Sequence, residues 1–157
     1  MIKKLLFVCT GNTCRSPMAE YLLREITADS SNQSLEISSA GISAISGSEA
    51  NEKAAAVMAE LGIDLSEHRS RNINEIELSQ EDLILTMTRK HSRALILNHP
   101  DLADKIFTLK EFANDDHQIE KDIQDPFGLS EEKYRSTREE IRTELKLMVK
   151  KLKDFSL

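Results

Sequence analysis

The chain reads as an α/β protein, a single domain over residues 1–157 built on a doubly wound, four-stranded parallel sheet flanked by helices. Three observations carry that reading. Short apolar runs alternate along the sequence with stretches whose apolar residues recur at helical spacing, the pattern of strand–helix–strand units. The first run passes straight into a tight polar loop ending in Ser16-Pro17, a pair suited to starting a helix. And 157 residues are enough for one domain to bury about two-thirds of its unfolded surface.

Residues 2 to 8 are continuously apolar after the lysines, as expected of a strand covered on both faces. A helix over residues 17 to 28 then places Met18, Leu22 and Ile26 on one face, with Ser16 as its N-cap or, instead, as a donor to the sulfur of Cys9. Asp29 to Gln33 reads as a loop. Leu35 to Ser39 alternates like a second strand, which Ala40-Gly41 ends. Residues 51 to 61 form a second helix stopped by Gly62, Asp82 to Met87 a third strand, and Arg89 to Leu97 a helix closed by His99-Pro100. Lys105 to Leu109 is a short fourth strand, and Glu111 to Lys121 is acidic and irregular. Residues 131 to 153 repeat Tyr134, Ile141, Leu145, Met148, Val149 and Leu152 at helical spacing, a long closing helix. His91 and His99 are expected at the surface.

The chemistry concentrates in Cys9-Thr10-Gly11-Asn12-Thr13-Cys14-Arg15-Ser16. A sharp turn from strand to helix aims successive backbone N–H groups inward, and the helix dipole adds positive potential, so the loop makes a cradle for a phosphate-like dianion. Gly11 is expected to supply the positive φ such a cradle needs. Arg15 offers a planar fork that pairs two oxygens of a tetrahedral oxyanion. Cys9 at the floor shares the positive field that favours a nucleophilic thiolate. A lone cysteine ending a core strand is ordinarily a small hydrophobe; it is the whole constellation that is demanding. A nucleotide-binding loop is excluded, because no Lys follows a second Gly.

The run Val8-Cys9-Thr10-Gly11-Asn12-Thr13-Cys14-Arg15-Ser16-Pro17 resembles the V-C-x-G-N-x-C-R-S-P loop of the low-molecular-weight protein tyrosine phosphatase family. Ser39-Ala40-Gly41 and Asp125-Pro126 match two further family features, so the resemblance spans nearly the whole chain. It implies a sheet order of 2-1-3-4 and a cysteinyl-phosphate mechanism with Cys9 as nucleophile, Arg15 as oxyanion clamp and Asp125 as general acid and then base. Thr10, Gly11, Asn12, Thr13, Cys14 and Ser16 complete the phosphate-binding loop. It also implies that Ser39 holds Asn12 and that His68 supports the loop from behind. Pro126 confines Asp125 to an extended backbone just where a carboxyl group must be aimed.

Tyrosine phosphatases of the family usually carry an aliphatic residue between the loop Asn and the second Cys, and often Tyr after Asp-Pro. Thr13 and Phe127 depart from both. In this the chain is similar to the bacterial protein-arginine-phosphatase branch, which makes phosphoarginine in proteins the expected substrate, phosphotyrosine the alternative, and Thr13 and Phe127 the specificity residues. Arsenate reductases share the loop but need further redox cysteines, and none follows Cys14. A non-catalytic phosphoprotein-binding module could dispense with Cys9 and Asp125.

Composition narrows the partners. With 21 Lys plus Arg against 27 Asp plus Glu, the net charge of −6 argues against nucleic acid and anionic membranes. No apolar run approaches the roughly 20 residues of a spanning helix, and the N-terminus enters a core strand rather than a signal peptide, so a cytoplasmic location is expected. The two cysteines fit neither a disulfide framework nor a zinc site. Cys14 is instead the expected redox partner of Cys9, in a bridge that switches activity off reversibly. No cofactor and no metal is expected. A monomer acting on a phosphorylated protein is the expected form.

Overall fold

The computed structural model describes residues 1–29, 35–116 and 118–155, with the backbone alone at residue 155. Its sheet has four strands, β1 (Lys4–Cys9), β2 (Glu36–Gly41), β3 (Leu83–Thr86) and β4 (Ile106–Thr108), in the order β2-β1-β3-β4. All three pairings are parallel, with Leu5 opposite both Ile37 and Leu83, and Ile84 opposite Ile106. The expected doubly wound order is therefore the one found. The helices are α1 (Arg15–Thr27), α2 (Glu52–Ala59), α3 (Arg89–Asn98), α4 (Leu109–Ala113) and α5 (Glu131–Phe155), with short 3-10 turns at Ile73–Glu75, Leu78–Gln80 and Pro100–Lys105.

The two-residue period of β1 divides the core. Leu5 and Phe7 join Met18, Leu22, Val57, Tyr134, Ile141, Leu145 and Met148 from α1, α2 and α5 on one face. Leu6 and Val8 join Ile84, Leu95, Leu102 and Ile106 on the other. Leu5, Leu6, Phe7 and Val8 are all fully buried, and each such side chain contributes about 1.5–3 kcal/mol, so β1 is the rigid central rail. The loop that follows it inherits that rigidity.

Several boundaries differ from the sequence reading. Helix α1 begins at Arg15 with Cys14 at its N-cap and no side-chain cap, so Ser16 is not the cap but lies inside the first turn. Fourth-strand pairing stops at Thr108, whose hydroxyl caps α4 by accepting from the Glu111 N–H at 3.0 Å. Leu109 thus opens a helix, and Glu111 to Ala113, read as irregular, belong to it. His91 is not at the surface: Thr88 caps α3 immediately beyond β3, and the first turn buries the imidazole to 7 % exposure. His99 is half-buried. The loop read over Asp29 to Gln33 lies, from residue 30 on, outside the described residues.

Candidate active site

Strand β1 delivers Cys9 to the carboxyl edge of the sheet, where open parallel sheets present their ligand crevice. Its sulfur receives the Asn12 N–H at 3.3 Å and lies 2.8 Å from the Ser16 hydroxyl oxygen. The loop turns back at Asn12, which takes the positive φ of 57°. Gly11 does not have a positive φ, contrary to the sequence reading, because the asparagine is held in that conformation by its own contacts. Its Nδ2 donates to Ser16 Oγ at 2.8 Å and Ser39 Oγ at 2.9 Å, and its Oδ1 accepts from the Arg71 N–H at 2.9 Å. Its backbone carbonyl accepts from His68 Nε2 at 2.7 Å. Ser39 and His68 therefore both meet Asn12.

Proton accounting gives this network a direction. Ser39 Oγ donates to the carboxylate of Glu20 at 2.6 Å, and Glu20 is paired to Arg24. Ser39 must then accept from the Asn12 amide, and Ser16 accepts the other amide hydrogen. Ser16 keeps its own hydrogen for the Cys9 sulfur, so two donors face that atom, an arrangement suited to a thiolate. The open alternative for Ser16 is resolved in favour of the sulfur.

Arg15 is 4 % exposed and is aimed by the Ile123 carbonyl, to which its Nη1 donates at 2.9 Å. Its Nη2 stands 3.5 Å from Asp125 Oδ2. Asp125 is half-exposed, and its Oδ1 accepts from the Phe127 N–H at 3.1 Å, which fixes the carboxyl plane. Cys9, Thr10, Gly11, Thr13, Cys14, Arg15, Asp125 and Phe127 line one cavity of about 210 Å³, with Phe127 exposed at its mouth. A larger hollow of about 600 Å³ beside α2 holds no cysteine, histidine, lysine or arginine, so size does not mark the reactive place here. Among the described residues no three His, Cys, Asp or Glu side chains are grouped to hold a metal ion.

Four contributors have roles that the sequence reading did not give them. Gly41 is one: a Cβ there would stand 2.5 Å from the Thr10 carbonyl oxygen and 2.9 Å from the Asn12 nitrogen, so β2 can pass beneath the loop only without a side chain. Tyr134, fully buried on α5, reaches Cys14 Sγ at 3.4 Å. Burial raises the Cys14 thiol above its ordinary range, against the hydrogen bonds from Tyr134 and Thr13, and raises the Tyr134 phenol as well. Both cysteines are free thiols. Ile123 is bound on both sides, its N–H donating to the Met87 carbonyl at 2.9 Å while its own carbonyl holds Arg15. His91 is the fourth, its Nε2 2.8 Å from Thr10 Oγ1. Burial foremost, then the charge of Arg15, pushes this imidazole down to about 4. Gly41 lies in the Ser39-Ala40-Gly41 match and Tyr134 on the helical stripe, but neither pattern marks these contacts, which join distant elements.

The family model described as low molecular weight phosphotyrosine protein phosphatase matches residues 4–155. The chain is 40 % identical over 149 residues to a protein-arginine-phosphatase of Geobacillus stearothermophilus, covering 95 % of each. Against the solved structure of the YwlE arginine phosphatase from that organism the TM-score is 0.86 at 39 % identity, covering 96 % of this chain and 93 % of the other. A low molecular weight protein tyrosine phosphatase from T. tengcongensis superposes with a TM-score of 0.85 at 41 % identity, covering 94 % of this chain and 98 % of the other.

Proposed function

From the fact that this chain belongs to the low-molecular-weight phosphotyrosine protein phosphatase family, we propose that its substrate is phosphoarginine in proteins and that Cys9, Arg15 and Asp125 carry the reaction. The protein is a cysteine-dependent phosphatase of that family. The observation that supports the residue assignment is their convergence on one cavity of about 210 Å³, with Cys9 at the floor and Asp125 at the rim. In the first step the Cys9 thiolate attacks phosphorus in line. The loop N–H groups and the Arg15 fork hold the equatorial oxygens, where charge develops, and Asp125 protonates the departing guanidine nitrogen. In the second step water, deprotonated by the Asp125 carboxylate, attacks the cysteinyl phosphate and releases inorganic phosphate and the thiolate.

For the substrate, the polar wall is the support. Thr13 lies in the cavity lining and places a hydroxyl where an aliphatic residue would offer only apolar surface. The protein-arginine-phosphatase of Geobacillus stearothermophilus is among the relatives. The second reading, phosphotyrosine, draws on Phe127, an exposed aromatic at the mouth suited to stacking on an aryl ring, and on the T. tengcongensis relative. In either case the phosphorylated protein is met by a single copy of the chain in the cytoplasm, with Cys14 as redox partner of Cys9. No helix among the described residues is long and apolar enough to cross a membrane.

Matched phosphoarginine and phosphotyrosine peptides, assayed side by side, test the reading. Wild type is expected to show the higher kcat/KM on phosphoarginine. Thr13→Ile, which removes one hydroxyl and adds apolar surface, should lose about 10- to 100-fold on that substrate and hold or gain on phosphotyrosine. A ratio that Thr13→Ile leaves unchanged would remove Thr13 as selector, and a wild-type preference for phosphotyrosine would establish the second reading.

A further inference from the structure

His91 takes no part in the reaction derived above, yet its imidazole is 7 % exposed and bound to the phosphate-binding loop. Its Nδ1 is buried without a hydrogen-bond partner among the described residues, while Nε2 lies 2.8 Å from Thr10 Oγ1. The ring is neutral near pH 7, since burial pushes it down to about 4, and so it carries one proton on one of two nitrogens. On Nδ1 that proton would make a buried N–H with nothing to accept it, an arrangement folded proteins avoid more strictly than an unpaired acceptor. The proton therefore sits on Nε2 and is donated to Thr10.

That bond occupies one lone pair of the Thr10 oxygen and leaves its O–H and its second lone pair free. Thr10 is exposed and lines the same cavity as Thr13 and Asp125. A hydroxyl anchored by a buried ring is oriented before any substrate arrives, so the entropy of fixing it is not charged to binding. Facing a leaving group that carries N–H, it accepts and can donate. Under an aromatic face it loses water and gains no partner, which is unfavourable.

We propose that Thr10, with its hydroxyl fixed by His91, is a second specificity-determining residue that favours phosphoryl groups carried on nitrogen over those carried on an aromatic ring, His91 being its positioning residue. The proposal deepens the phosphoarginine reading and rests on it for the natural substrate, but its chemistry can be judged on simple compounds. The test compares kcat/KM on a phosphoarginine peptide, inorganic phosphoramidate and p-nitrophenyl phosphate for wild type, Thr10→Val, Thr10→Ser, His91→Phe and His91→Gln. Thr10→Val is expected to lose about tenfold more on the two P–N compounds than on the aryl ester. His91→Phe should move the same ratio in the same direction. Thr10→Ser, which keeps the hydroxyl, and His91→Gln, whose amide N–H can replace Nε2, should restore most of it. A Thr10→Val variant that weakens all three substrates alike overturns the proposal. Loss in Thr10→Val without loss in His91→Phe removes the positioning role, as does a ¹⁵N NMR spectrum that places the ring proton on Nδ1. A wild type that prefers phosphotyrosine peptides defeats the phosphoarginine reading instead, and the phosphoramidate-to-aryl ratio still decides for or against Thr10.

Discussion

The Cys9 sulfur is held by the Ser16 hydroxyl and the Asn12 N–H, while the groups that would grip a phosphoryl oxygen, Arg15 and the remaining loop amides, are positioned by other contacts. Cys9→Ala should therefore abolish turnover yet still bind inorganic phosphate, which an NMR titration would read; substantial residual hydrolysis would end the nucleophile assignment. Asp125 is aimed by the Phe127 N–H and tethered near Arg15, so as the proposed general acid it would deliver a proton to one place. Asp125→Asn is expected to cost on the order of 10² to 10⁴ in rate for poor leaving groups and far less for an activated aryl phosphate in the phosphorylation half-reaction. Equal losses on both, measured by single-turnover kinetics, would argue against a general acid. At this scale Cys9 and Arg15 were legible in the sequence because their relation is local, six positions in one tight turn. His91 and Tyr134 were not: a histidine in a helix and a tyrosine on an apolar stripe carry no local mark of what lies across from them.

Between elements, the decisive contact is the passage of β2 under the loop after β1. Gly41 sits there with the Thr10 carbonyl oxygen 2.5 Å from where a Cβ would be, and that neighbour is backbone, which cannot swing aside. Gly41→Ala is expected to cost about 1–3 kcal/mol of stability and to lower kcat/KM by displacing Thr10 and Asn12 together. Gly11→Ala, whose Cβ would meet nothing nearer than Thr13 Oγ1 at 3.8 Å, should unfold within a few tenths of a kcal/mol of wild type. Thermal denaturation of the two variants separates these outcomes, and equal losses would contradict the packing argument. The same level shows where sequence patterns stop. Apolar runs located all four strands, since burial on both faces leaves a continuous signal. The end of β4 was missed because Thr108 serves both as strand residue and as helix cap, and Leu109 is apolar enough for either role. The start of α1 was missed because Cys14 stands at the N-cap position without a side-chain cap, so no capping residue marks it.

For the whole molecule, acid should act in two successive stages. The His91 imidazole is pushed from the ordinary 6.5 down to about 4 in the folded chain, so the unfolded chain binds the proton more readily. Stability then falls as pH drops from about 6.5 towards 4, by at most about 3 kcal/mol, with nothing lost above that range. The carboxylate of Glu60, held down to about 2 by Arg135 and Arg138, works lower: its contribution is present above about 4.5 and is lost as pH falls towards 2. Urea denaturation at pH 7.5, 5.5 and 4.5 should show His91→Gln losing less stability between these points than wild type; parallel losses would place the acid sensitivity elsewhere. A different consequence follows from the depth at which Cys9 lies. Only 3 % of it is exposed, in a cavity with Phe127 and Asp125 at its mouth. Such a recess works as a ruler. A phosphoryl group carried close to its main chain, as on serine or threonine, would be stopped at the rim by its own backbone, whereas one at the tip of a long side chain can touch bottom. On the proposed function, the fold would sort substrates by reach before any hydroxyl sorted them by chemistry.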